Sequence, residues 1–478
     1  MQELARERFD ALMGSTRNQM TRTLGMELAW YSEPDERVLC AIVRDESDGD
    51  HTCIVLARDK IGRFRAVHLS EWFPTMAQAV AAVPQLLTEW ATRDDQDYEQ
   101  GDEPRDTMDF FTPRHSRERL NHGFVQLIES EEMSPAWGII ESLMFYFSDP
   151  DGNFVEQFQS TAFYARIWEL YLFAVLAEDR CTIDRTYPAP DYLLKGMFGD
   201  AFIEAVTVNP SEAGEVGYPH GTAALANYLD SYVPVKFAGP LVRKLQRRYW
   251  EEPHIGDRPI ILAIADYHCA DSMRRSQRSL CSYLYGQSFD ATAFDSRLLL
   301  RPEYEVKEHR WGSKRVPSGF FALPGAENIS AVISTGEETM MKFNRMGLRA
   351  GFGSSRIEMR ASGLRCSGGH PSGFAPEAFD TDVLSPDYEE LWIDGLQIYH
   401  NPRAIRPLDI QMLGDATHHR FGNGKYDGIY IDASPFCIDT RLFVDTSKPQ
   451  NAPVSSAART PRLKHELLRN RRRPDRTG

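Results

Sequence analysis

The sequence lacks most of the signatures that identify a protein at sight. None of its apolar runs approaches the roughly 18 residues of a membrane-spanning helix, and the first 25 residues hold no apolar secretory core. Both absences predict a cytoplasmic protein with no membrane partner. Cysteines are few and scattered: Cys40, Cys53, Cys181, Cys269, Cys281, Cys366 and Cys437 form no CxxC pair and have no histidines at finger spacing. Buried reduced thiols are expected, and a structural zinc site is not. There is no P-loop, GxSxG elbow or HExxH. Gly351-Phe-Gly353 is a lone glycine pair without the strand–turn–helix setting of a dinucleotide loop. No internal repeat is visible. Positive charge is also short, with 54 Lys+Arg against 69 Asp+Glu and a formal charge of −15. Bulk attraction to nucleic acid is thereby excluded, although a local basic face is not.

What is present is an ordinary globular composition, 42% apolar and 26% charged, over 478 residues. That length exceeds a single core and predicts two to four domains in an α/β (α+β multidomain) chain. Residues 37–43, 52–57 and 64–68 read as strands and about 75–90 as a helix, making 1–92 a small N-terminal accessory α/β domain. Eight acidic residues between Asp94 and Asp109 have almost no aliphatic neighbours, so 93–107 reads as a solvated acidic linker. Helical segments near 117–131 and 135–147 make 108–152 a helical connector.

A central α/β domain is expected over 153–300 and a β-rich C-terminal domain over 301–446. In the latter, strands are read at 329–334, 391–400, 428–432 and 442–444, and Lys342 to Arg345 as part of a strand and turn. The stretch His400 to Leu408 reads as a rigid proline loop with a structural role. His418 and His419, adjacent on a strand, point to opposite faces and do not share a metal. The tail, 447–478, loses its apolar period. From Arg459 on it carries eight Arg/Lys against Glu466 and Asp475, the composition of a disordered basic tail.

The chemistry concentrates in the central segment. Between Phe163 and Leu176 apolar side chains cover nearly the whole helical circumference, with Glu169 inside that wrapping. A buried carboxylate needs a partner. Arg166, three residues back, supplies an ion pair; a metal or a lysine would make Glu169 a site residue. Strands are expected at 181–187 and 189–194, the second opened by Pro190-Asp191, which projects a carboxylate from the sheet edge. A third strand, 201–208, has period two and puts Phe202, Glu204, Val206 and Val208 on one face. A helix at 240–250 follows, with Leu241, Val242, Leu245 and Tyr249 as its buried stripe. The continuous apolar run 258–266 then reads as a strand covered on both faces.

This α-β-β-β-α-β order, with Glu169 on the first helix, Pro190-Asp191 opening the second strand and Glu204 in the third, resembles the PD-(D/E)XK nuclease superfamily and its restriction-endonuclease-like fold. The resemblance covers about a quarter of the chain. The stretches Trp168 to Tyr171 and Arg248 to Trp250 also look similar to bacterial proteins of unestablished function. The resemblance implies Mg²⁺ (or Mn²⁺) held by Asp191 and Glu204, with Glu169 as a further site residue, and hydrolysis of nucleic acid, DNA in the first place. The family places a lysine two residues after the glutamate. Here that position is Val206, so the lysine is sought elsewhere: Lys244 first, then Lys236 and Lys195.

From Lys236 to Arg315 fifteen Lys/Arg face ten Asp/Glu, including Arg243, Arg247 and Arg248 on the outer side of the helix and Arg274, Arg275 and Arg278 soon after. Such groups can neutralise phosphates, or form no more than a solvated surface. The alternatives are a catalytically degenerate, structural or nucleic-acid-binding protein of the same fold, and an unrelated α/β scaffold in which Glu169 and Glu204 serve buried ion pairs. The flanking domains are expected to provide a partner surface or a homo-oligomer contact.

Overall fold

The computed structural model describes residues 1–13, 16–17, 19–94, 98–103, 108–211, 216–289, 302–367, 375–422, 425–429 and 435–449. The chain is a mixed α/β protein with several sheets. The basic stretch 459–478 and parts of the acidic stretch, 95–97 and 104–107, lie outside the described residues.

Near the N-terminus, five antiparallel strands follow in sequence order: Gln2–Leu4, Gly25–Ser32, Val38–Asp45, His51–Arg58 and Phe64–Leu69. Their apolar residues serve both faces. Cys40, Ile42, Cys53 and Val55 pack with Ala79, Val83 and Leu87 of the helix Met76–Ala91. Leu39, Ala41 and Leu56 pack with Phe9 and Leu12 of the helix Arg6–Met13. Thr75 starts the helix Met76–Ala91 by accepting the Gln78 amide, the hydroxyl cap that satisfies an orphan N–H.

The largest sheet has eight strands in the order Lys425–Ile429, Thr417–Gly422, Gln397–His400, Ala331–Ser334, Ile260–Asp266, Gly199–Val208, Tyr192–Gly196, Thr182–Asp184. Gly199–Val208, Ile260–Asp266 and Ala331–Ser334 run parallel, while Thr182–Asp184 and Tyr192–Gly196 form an antiparallel edge. Ile260–Asp266 is wholly buried, as its unbroken apolar run requires. The boundary expected at residue 301 falls inside this sheet, because four of its strands come from beyond it. The reason is hydrogen bonding: Ile260–Asp266 needs a partner on its second edge, and Ala331–Ser334 supplies it. A separate three-stranded sheet joins Ala375–Asp382, Ile357–Ser367 and Pro435–Val444.

Alternation along the strands sorts the two faces of the large sheet. Tyr192, Leu194, Ala201, Ile203, Ile261 and Ala263 pack with the helix Phe163–Glu178. Leu193, Phe202, Val206, Ile260, Leu262 and Ile264 pack with Phe237, Leu241 and Leu245 of the helix Val233–Gln246. That second helix starts earlier than expected and takes Pro240 inside it, at the cost of one intrahelical hydrogen bond.

Residues 342–345, expected as strand and turn, lie within the helix Met340–Arg349, capped by Thr339. Its polar residues misled the sequence pattern because Lys342 and Arg345 are wholly buried against Glu337 and Glu390. The strand expected at 391–400 is shortened to Gln397–His400. Of the strand expected at 428–432, residues 428 and 429 belong to Lys425–Ile429, and 430–432 lie outside the described residues. No described helix is long and apolar enough to cross a membrane. Cys40, Cys53 and Cys281 are buried free thiols, and Cys181 and Cys269 are buried as well; the side chains of Cys366 and Cys437 lie outside the described set.

Candidate functional site

Strand register brings the first two residues together. Tyr192 pairs with Ile203 and Leu193 with Phe202. Asp191 lies just before Tyr192, outside the paired strand, and meets the neighbouring strand one residue beyond Glu204. Asp191 is tied there, its Oδ2 accepting the Ala205 amide at 2.7 Å. The preceding segment is braced as well: His254 Nε2 donates to the Ala189 carbonyl at 3.0 Å, and its ring stacks on Tyr187 at 4.3 Å.

Glu204 sits on the apolar face beside Phe202 and Val206 and is only 4% exposed. Its Oε1 accepts two donors, the Tyr249 hydroxyl at 2.8 Å and the Lys244 ammonium. Its Oε2 is buried and has no hydrogen-bond partner. Burial and the charge of Asp191 raise the Glu204 carboxyl above its ordinary range, against the opposing pull of Lys244 and Tyr249. Lys244 reaches this carboxylate because it follows the buried Leu241 and precedes the buried Leu245, on the flank of the stripe facing the sheet.

The position two residues after Glu204, Val206, is buried and apolar. Of the three lysines considered, Lys244 alone is paired with Glu204. Lys236 donates to the Asn209 carbonyl at 2.8 Å and to Ser211 at 3.0 Å, and Lys195 pairs with Asp184 at 3.1 Å.

Glu169 is held differently. It lies on the helix against the opposite face of the sheet and pairs with Arg166 and with Arg185 Nη2 at 3.2 Å. Burial, then the Asp191 charge, raise its carboxyl to about 7 despite both arginines. The ion pair with Arg166 expected from the sequence is present, and Arg185 adds a second. Glu169 therefore belongs to a buried ionic cluster behind the sheet, within the electrostatic reach of Asp191 but apart from Lys244.

The residues that sequence reasoning missed at the site are Tyr249, placed only in an apolar stripe, and Arg185. Neither spacing signals its role, since each meets its carboxylate through a tertiary contact.

The donor set can be tested against Mg²⁺. Among the described residues, no three His, Cys, Asp or Glu side chains group to hold a metal. Asp191 and Glu204 offer two neighbouring carboxylates, with Glu204 Oε2 an orphaned acceptor. Two carboxylates suit a Mg²⁺ that keeps several waters, not a fully caged metal.

Elsewhere, Arg243 and Arg247 are exposed, and Arg248 pairs with Glu251. Arg274 and Arg278 pair with Asp439 and Asp230, and Arg275 lies 4.9 Å from the Tyr218 ring centroid. His418 bonds His400 at 2.9 Å, whereas His419 bonds Gln397 at 2.6 Å.

Compared with family models, curated proteins and solved structures, the chain matches none.

Proposed function

We propose that the protein is a divalent-metal-dependent phosphodiesterase acting on nucleic acid, built on a PD-(D/E)XK-like core. The observation that carries this reading is the buried Glu204 carboxylate, with Asp191 tied to the adjacent Ala205 amide and Lys244 reaching Glu204 from the next helix. The element succession supports it too: helix Phe163–Glu178, strands Thr182–Asp184, Tyr192–Gly196 and Gly199–Val208, helix Val233–Gln246, strand Ile260–Asp266. In this layout the restriction-endonuclease-like core begins near residue 153 and continues into strands beyond 301.

Asp191 and Glu204 would hold Mg²⁺ or Mn²⁺. The bound ion would lower the pKa of a water and offset charge on the scissile phosphate. Asp191 keeps its orientation through the Ala205 amide, which holds its Oδ2 and leaves Oδ1 as the oxygen to offer. The Lys244 ammonium, partly exposed beside Glu204, is the group available to stabilise the developing phosphorane charge or to orient the attacking water. Arg243 on the same helix and Arg247 just past its end, both exposed, are placed to meet flanking phosphates, with DNA as the first substrate to test.

The test is Mn²⁺- or Mg²⁺-dependent cleavage of single- and double-stranded DNA and RNA by the full chain. Asp191→Asn and Glu204→Gln should each abolish cleavage, and Lys244→Met should lower kcat by at least about 100-fold, the lower end of the range for a proton-handling group. Cleavage that survives both carboxylate substitutions overturns the proposal.

A second reading, a degenerate nucleic-acid-binding module of the same fold, is favoured by one observation. Glu204 is already paired with Lys244 and hydrogen-bonded by Tyr249, and Val206 takes the motif lysine's place. It predicts metal-independent nucleic-acid binding with no cleavage at any metal concentration.

A further inference from the structure

The geometry points to Tyr249 as a positioning residue that, with Lys244, fixes the Glu204 carboxylate so that Oε2 alone is offered to a divalent cation. This rests on the functional reading above, in which Asp191 and Glu204 hold that cation.

The chain departs from its simplest course to achieve this. Were the helix to continue past Gln246, residue 249 would lie roughly 140° around the axis from residue 244, and the two could not meet one carboxylate oxygen. Instead the helix stops at Gln246, and Arg248 takes φ 52°, ψ 47°, the left-handed region that disfavours a residue carrying a Cβ. That reversal starts a short 3-10 turn, Tyr249–Glu251, and returns the Tyr249 side chain to the sheet. The ring is buried, and its hydroxyl donates to Glu204 Oε1 at 2.8 Å.

The hydrogen-bond accounting at Glu204 is then asymmetric. Oε1 takes an ammonium and a phenol, whereas the buried Oε2 takes nothing. A buried carboxylate oxygen without a donor is costly, so this arrangement is poor as a purely structural ion pair and suitable for receiving a cation. Asp191, tied to the Ala205 amide next to Glu204, supplies the second carboxylate. Tyr249 thus does for Glu204 what outer partners do for metal ligands generally: it sets the ligand's orientation without touching the ion.

The experiment uses the full chain and Mn²⁺ alone as probe, with affinity from calorimetry and the Mn²⁺ paramagnetic resonance line shape. Tyr249→Phe, which deletes one oxygen, should weaken Mn²⁺ binding about tenfold and change the line shape, the effect typical of losing an outer partner. The metal-free melting transition should stay cooperative, and cleavage should recover at saturating Mn²⁺, the loss falling on the activation constant and not on kcat. Wild-type Mn²⁺ affinity and line shape in Tyr249→Phe, with Glu204→Gln abolishing binding, would overturn the role of Tyr249 and leave the metal site standing. A wild-type chain that binds no Mn²⁺ would overturn both.

Discussion

At the scale of single residues, two buried glutamates show how neighbours decide what a carboxylate does. Glu169 is pushed up to about 7 by burial and by Asp191, with Arg166 and Arg185 pulling back. Burial also pushes Glu390 up, but Arg345 and Lys342 outweigh it and hold the group well below the usual carboxylate range. The signs of their linkage differ. A raised group such as Glu169 contributes stability that is fully present below its unfolded value of 4.5 and lost as pH climbs through about 7. A depressed group such as Glu390 contributes stability above 4.5 that is lost as pH falls. Urea midpoints measured from pH 4.5 to 8 should therefore decline less steeply with rising pH in Glu169→Gln than in the wild type. Parallel profiles would show that Glu169 does not titrate in this window. The partners that set these values were only half legible in sequence. Arg166 could be read at three-residue spacing on the same helix, whereas Arg185 and Asp191 arrive from other elements.

At the scale of elements, segments with an apolar period were readable and those carrying buried charge were not. The strands around Cys40, Val55 and Phe202 announced themselves by pattern. The helix Met340–Arg349 did not, because its inward residues include Lys342 and Arg345, which the pattern counts as outward. Arg345 donates to both oxygens of Glu390, at 2.9 and 2.7 Å, and to Glu337 at 3.0 Å, and Glu337 in turn accepts the Ile438 amide at 2.9 Å. This cluster fastens the helix to the strand Pro435–Val444. Arg345→Met should cost about 3–5 kcal/mol in urea denaturation, since removing one partner leaves uncompensated buried charge. Arg248 tests the opposite effect. It occupies left-handed backbone at a cost of about 1–2 kcal/mol, so Arg248→Gly should leave stability unchanged or raise it by about 1 kcal/mol. A loss above that size would mean that its side chain, not its backbone, matters.

At the scale of the whole molecule, the eight-stranded sheet overrides the boundaries that composition suggests. The shift near residue 301 is a genuine change in pattern, yet Ala331–Ser334 lies between Ile260–Asp266 and Gln397–His400. A fragment of residues 153–300 should therefore lack a cooperative unfolding transition, because it exposes one hydrogen-bonding edge of its most buried strand and loses the strands beyond it. A sharp, reversible transition in that fragment would restore the boundary.

Sequence alone determined the α/β character, the order of elements from Phe163 to Asp266, and Asp191, Glu204 and Lys244 as residues to watch. Each of these depends on local periodicity and chemistry, which travel with the chain. Only the tertiary structure decided that Glu169 sits behind the sheet with two arginines, that Tyr249 turns back to Glu204, and that strands from beyond residue 301 complete the sheet. Those outcomes depend on register, sheet edges and desolvated partners far apart in sequence, and no local pattern encodes which distant group will neutralise a buried charge.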